Sequence, residues 1–225
     1  MTDGGPVTRS RSAWSDLVAV MDRLRSPGGC PWDAEQTHES LLRYAVEEVH
    51  EVVEAVESGD RDAMREELGD LLLQVVFHAR LAQEHPDEPF DVEDVARGVV
   101  EKLVRRHPHV FGDAGAVEGA DLHRQWDRIK REEKPARGAL DGIPPSLPAL
   151  ARAQKVVSRL RRAGYPPPVA DAVPDDADLG SRLLALVVEA EGRGVDAEGA
   201  LRRTLRAVEA DAREADPPGP IQDVD

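Results

Sequence analysis

The run from Thr37 to Ala82, THESLLRYAVEEVHEVVEAVESGDRDAMREELGDLLLQVVFHARLA, decides the fold. Its apolar residues recur at steps of three and four, with no sustained alternation. Leu41, Ala45, Val49, Val52 and Val56 form one helical stripe. Met64, Leu68, Leu71, Leu72, Val75, Val76 and Ala79 form a second. Thr37 reads as the N-cap of the first helix, Gly59 as its stop and Asp60 as the N-cap of the next. A turn as short as Gly59-Asp60 makes the two helices antiparallel.

The same rhythm extends to both sides. Trp14, Leu17, Val18, Met21 and Leu24 predict an earlier helix that stops at Pro27-Gly28-Gly29. Cys30 to Asp33 reads as a loop. After a break from His85 to Pro89, Asp91 caps a helix carrying Val92, Val95, Val99 and Leu103. A loop from Arg105 to Gly112 and a fifth helix over 119–134 follow. With no strand signature, the fold class is all-α, an antiparallel four-helix-type bundle with a C-terminal helical appendage.

Composition narrows the function. The 225 residues carry 29 Lys/Arg against 44 Asp/Glu, a formal charge of −15, which weighs against nucleic-acid binding. A single cysteine, Cys30, excludes a disulfide framework and a thiolate metal cluster. No apolar run reaches membrane-spanning length and the N-terminus lacks a signal-like apolar core, so a cytoplasmic protein is expected.

The carboxylates are arranged as well as numerous. Glu47-Glu48-Val49-His50-Glu51 lies on the first helix of the hairpin and Glu67-Leu68-Gly69-Asp70 on the second. Residues three apart share a helix face, so Glu48 pairs with Glu51 and Glu67 with Asp70. Glu51 stands eight residues before Gly59 and Glu67 eight after it, which places both at one height. Carboxylates gathered at the edge of a core repel one another, and a divalent cation relieves that. An all-oxygen donor set suits Mg²⁺ or Mn²⁺ rather than zinc. On these residues alone, a solvated acidic face stays open beside the metal site. A di-iron bundle fits poorly, because Glu47-x-x-His50 has no second Glu-x-x-His.

In their order along the chain, these blocks resemble the MazG family of nucleoside triphosphate pyrophosphohydrolases. The resemblance covers most of residues 14–134. It includes Gly29-Cys30-Pro31-Trp32-Asp33 with Gln36-Thr37, EExxE and ExxD, Lys102, the run Arg105-Arg106-His107-Pro108-His109-Val110-Phe111, and Trp126-x-x-x-Lys130-Arg131-x-Glu133. It implies hydrolysis of canonical or aberrant NTPs and dNTPs to a monophosphate and pyrophosphate, with Mg²⁺ as cofactor and Mn²⁺ as a substitute. It makes Glu48, Glu51, Glu67 and Asp70 the metal ligands, and Glu47 an auxiliary ligand or water-activating base beside Glu48 and Glu51. Lys102, Arg106 and Lys130 become triphosphate contacts, and Trp126 and Trp32 lie near the nucleoside. A homodimer or higher homo-oligomer is expected, without nucleic acid or membrane. The competing reading is a non-catalytic helical module that keeps the scaffold.

Family members often carry two such domains in tandem. Residues 135–148 resemble the linker between them, and Asp178-LGSRLLALVVEAE resembles Glu67-LGDLLLQVVFHAR. Lining up the Leu-Gly pairs sets Asp178 against Glu67 and Ser181 against Asp70, with no EExxE helix before them. The expected organisation is a flexible N-terminus over 1–12, the pyrophosphohydrolase domain over 13–134 and the linker over 135–148. A truncated second copy without a metal site follows over 149–214, then a disordered tail over 215–225. The apolar residues Leu183, Leu184, Leu186, Val187, Leu201, Leu205 and Val208 of that copy need a covering surface.

Overall fold

The structure is a computed structural model that describes residues 12–112, 125, 129, 133, 138–166 and 178–215. All regular structure among them is helical: α1 Ala13–Arg25, α2 Pro31–Glu35, α3 His38–Ser58, α4 Arg61–Ala82, α5 Val92–Arg106, α6 Pro108–Phe111, α7 Ala149–Arg162, α8 Leu179–Gly192 and α9 Ala197–Ala215. The chain divides into two compact units, Met1–Trp126 and Asp127–Asp225. The expected fifth helix over 119–134 lies almost wholly outside the described residues.

Local chemistry sets the hairpin. Thr37 Oγ1 accepts from the Ser40 backbone N–H at 3.2 Å, and Ser40 Oγ accepts in return from the Thr37 N–H at 3.0 Å. This reciprocal box satisfies donors that the first turn of α3 leaves open. Gly59 ends α3 at φ 76°, a left-handed conformation that side chains resist. Asp60 Oδ1 then accepts from Asp62 and Ala63 N–H, both at 3.0 Å. Stop and start are adjacent residues, so α4 folds straight back along α3.

In the first unit α4 is the central helix, packed against α1, α3 and α5. Met21, Leu41, Val76, Phe77, Ala79, Leu81 and Val92 form the core, flanked by Trp14, Leu17, Tyr44, Leu73 and Val95. This core sits at one end of the hairpin, and helix length explains why. With 22 residues α4 runs about 33 Å, whereas α1 with 13 covers about 20 Å. Several residues expected inside are therefore exposed in the single chain: Val49 and Val56 on α3, Leu68, Leu72 and Val75 on α4, Val99 and Leu103 on α5.

Two expected loops contain short helices. α2 begins inside the expected loop Cys30–Asp33, and α6 lies within 105–112, where α5 also runs on to Arg106. Both short helices begin with proline, whose missing N–H costs nothing at a helix start. Arg25 fastens α2. Its side chain, 8% exposed, donates to the Asp33 carbonyl at 2.5 Å and the Gln36 carbonyl at 3.1 Å, and grips Glu84 at 2.8 and 2.9 Å. Those Arg25 hydrogen bonds hold the Glu84 carboxyl below its ordinary value.

In the second unit α7 packs on α8 and α9 around Val157 and Val187. Gln154 clamps the α8–α9 turn, donating to the Val195 carbonyl at 2.7 Å and accepting from the Ala197 N–H at 2.9 Å. Leu183, Leu186, Leu201, Leu205 and Val208 are exposed.

Candidate metal centre

The hairpin brings Glu48 of α3 together with Glu67 and Asp70 of α4. One carboxylate oxygen from each lies within 4.8 Å of the others, and all three residues are half-buried. Antiparallel packing at equal distance from Gly59 produces this meeting, with the i, i+3 step setting Glu67 beside Asp70. Glu47 and Glu51 are exposed on α3. Glu51 stands outside the tightest group, but its charge acts on both Glu48 and Glu67.

The electrostatics are those of crowding. Burial raises the Glu48 pKa above the ordinary carboxylate value, and repulsion from Asp70 and then Glu51 raises it further. Only a hydrogen bond from Gln74 pulls it down. Glu67 is also raised, by burial first and then by Glu51, Glu66 and Asp70. Among the described residues no Lys or Arg figures in either shift. No described Lys or Arg therefore offsets the cluster's charge in these shifts, and its donors are hard oxygens at a spacing a small cation can bridge. These residues fit a divalent cation such as Mg²⁺ or Mn²⁺.

The raised values have a signed consequence. Between the unfolded and folded pKa of each glutamate, the folded chain holds more protons, so cation-free stability falls as pH rises through that window. A cation must displace those protons. Adding Mn²⁺ is expected to raise the melting temperature more at about pH 8 than at about pH 5. Equal gains at both would contradict it.

The other expected site residues are placed as follows. Lys102 is exposed and Arg106 half-buried, one turn apart on α5. Trp32, on α2, is 48% exposed, with its ring edge-on to Tyr44 at 5.9 Å and Phe77 at 6.4 Å. Tyr44 precedes Glu48 by one turn of α3, so Trp32 stands along the hairpin from the carboxylates. Trp126 and Lys130 lie outside the described residues. A Cβ on Gly69 would meet nothing within 4 Å, so helix packing does not require this glycine. Gln74 escaped the sequence reading, although a polar residue inside Leu71-Leu72-Leu73-Gln74-Val75-Val76-Phe77 is the signal that marks it.

At Asp178 and Ser181, the positions expected to align with Glu67 and Asp70, the second unit shows a different arrangement. Asp178 accepts from the Ser181 N–H at 3.1 Å and from the Ser181 hydroxyl at 2.6 Å, which lowers its pKa. Here the pair caps α8, where Glu67 and Asp70 repel.

Residues 36–111 match the model of the MazG nucleotide pyrophosphohydrolase domain. The chain is 40% identical over 227 residues to the nucleoside triphosphate pyrophosphohydrolase of Escherichia coli (strain K12), covering 89% of this chain and 86% of that one. This chain belongs to the MazG family. Further MazG-family relatives agree. The nucleoside triphosphate pyrophosphohydrolase/pyrophosphatase MazG of Thermotoga maritima is 38% identical over 213 residues, covering 86% of this chain and 81% of its own. The nucleoside triphosphate pyrophosphohydrolase of Mycobacterium tuberculosis is 45% identical over 191 residues, covering 84% of this chain and 54% of its own. The MazG match contains the whole carboxylate cluster, Lys102 and Arg106, while Trp32 precedes it.

Proposed function

We propose that the chain hydrolyses nucleoside triphosphates, canonical or aberrant, to a nucleoside monophosphate and pyrophosphate at the Glu48–Glu67–Asp70 cluster. The observation that carries this reading is three close, mutually repelling carboxylates, which no Lys or Arg among the described residues shifts, in a MazG-family chain. Glu48, Glu67 and Asp70, with Glu51 at their edge, would hold Mg²⁺, or Mn²⁺ in its place. The bound ion supplies positive charge that draws the triphosphate oxygens in and makes a water more acidic.

The chain's own residues do the rest. Glu47 takes a proton from the attacking water at its carboxylate. The water oxygen bonds to the α-phosphorus, the bond from that phosphorus to the bridging oxygen breaks, and pyrophosphate departs. Lys102, Arg106 and Lys130 offset the charge that builds on the leaving group. Trp32 and Trp126 flank the nucleoside. An assay in H₂¹⁸O tests this bond assignment: label is expected in the monophosphate and absent from pyrophosphate. Label in pyrophosphate, or release of orthophosphate, would overturn it.

The active form is a homodimer, placed in the cytoplasm. No helix among the described residues is long and apolar enough to cross a membrane. Leu42, Val46, Val49 and Val56 line one exposed stripe of α3, and Leu68, Leu72 and Val75 one of α4. A second copy of the hairpin covers them, completing the core that a single chain leaves one-sided. Residues 149–214 are a truncated second copy of the domain. The second residue of α5, Glu93, accepts from the Trp14 indole near the start of α1, and the second residue of α9, Glu198, accepts from the Ala151 N–H near the start of α7. No EExxE motif precedes Asp178 in the sequence of this unit, and Asp178 with Ser181 caps a helix. An intact EExxE and ExxD in the first unit gives the non-catalytic alternative no support.

A further inference from the structure

Gln74 is the one polar residue buried as a whole among the described residues of the first unit, 8% exposed. It follows Asp70 by four residues and Glu67 by seven, so it continues their face of α4 by one turn beyond Asp70. Its carboxamide acts on Glu48, across on α3, and lowers the pKa of that carboxyl. Its carbonyl, Oε1, is buried with no hydrogen-bond partner. A buried acceptor without a donor is costly, and the apolar run around it offers none. Leucine would fill this space without that cost. The carboxamide is thus out of place in a purely structural role, and it lies one turn beyond Asp70 on the face that carries the carboxylates.

We propose that Gln74 is a positioning residue of the cation site, holding the Glu48 carboxylate in its ligating orientation. The amide makes its contribution without adding a further negative charge to a cluster that already repels itself. A planar carboxamide fixes donor and acceptor together, so rotation that satisfied Oε1 elsewhere would release Glu48. The inference rests on the cation-binding reading above.

The test is Mn²⁺ binding to the full chain without nucleotide, followed by electron paramagnetic resonance, with thermal melting of the cation-free protein alongside. Gln74→Leu removes both polar atoms at similar size. It is expected to weaken Mn²⁺ binding roughly 10- to 100-fold and to leave the cation-free melt unchanged or higher. Gln74→Met, which is unbranched like glutamine, is measured in parallel and is expected to behave alike, so a folding failure of one variant leaves the other to decide. Affinity equal to wild type in a folded variant would overturn the positioning role alone. A wild-type chain that binds no Mn²⁺ would overturn the cation site and, with it, this inference.

Discussion

Asp70→Asn is expected to abolish pyrophosphate release while making the cation-free chain harder to unfold. The two effects share one cause. Asp70 contributes an oxygen to the group within 4.8 Å, and its charge also raises the pKa of Glu48 and Glu67. Asparagine keeps the shape and removes the charge. The cation then loses a ligand, and its transition-state stabilisation of several kcal/mol falls away, a loss on the order of 10³-fold in turnover. The remaining glutamates repel less, so the melting temperature rises at pH above their ordinary values. Steady-state turnover and a thermal melt in chelator check both arms. A solvated acidic face would show neither change, and a purely structural Asp70 would show a lower melt.

Leu72→Asp combined with Val46→Asp is expected to leave a folded monomer. Both side chains are exposed in the single chain, on α4 and α3, so the substitutions cost the isolated fold little. In a symmetric dimer each change appears twice. Each removes about 2 kcal/mol of apolar burial and buries an unpaired carboxylate, costing about several kcal/mol more. Sedimentation velocity should show wild-type dimer and variant monomer at micromolar concentration. Wild-type monomer at that concentration, or a variant that stays dimeric, would contradict the assignment of these stripes.

The hairpin was legible in the sequence because its signals are local. Thr37, Gly59 and Asp60 act through their own turns, and the helix period carries Glu48 to the height of Glu67 and Asp70 without further information. Less local facts escaped. Periodicity marks Leu68, Leu72 and Val75 as one apolar face but does not say whether the same chain covers it. The 13-residue α1 does not reach far enough. The helices α2 and α6 were hidden because four or five residues are too few to show a period. Gln74 was passed over for a related reason. A single polar residue in an apolar run carries meaning only once Glu48 is seen beside it. The grip of Arg25 on Asp33, Gln36 and Glu84 joins three segments, and no spacing rule links them.

The central claim is that the carboxylate cluster cleaves nucleoside triphosphates between the α- and β-phosphates with a divalent cation. Measuring monophosphate and pyrophosphate from a panel of NTPs and dNTPs in Mg²⁺, with wild type beside Glu51→Gln/Asp70→Asn, tests it most directly. The wild type should form the two products in equal amounts, chelator should stop the reaction, and the double variant should be inactive though folded. Equal turnover by wild type and the double variant would contradict the claim.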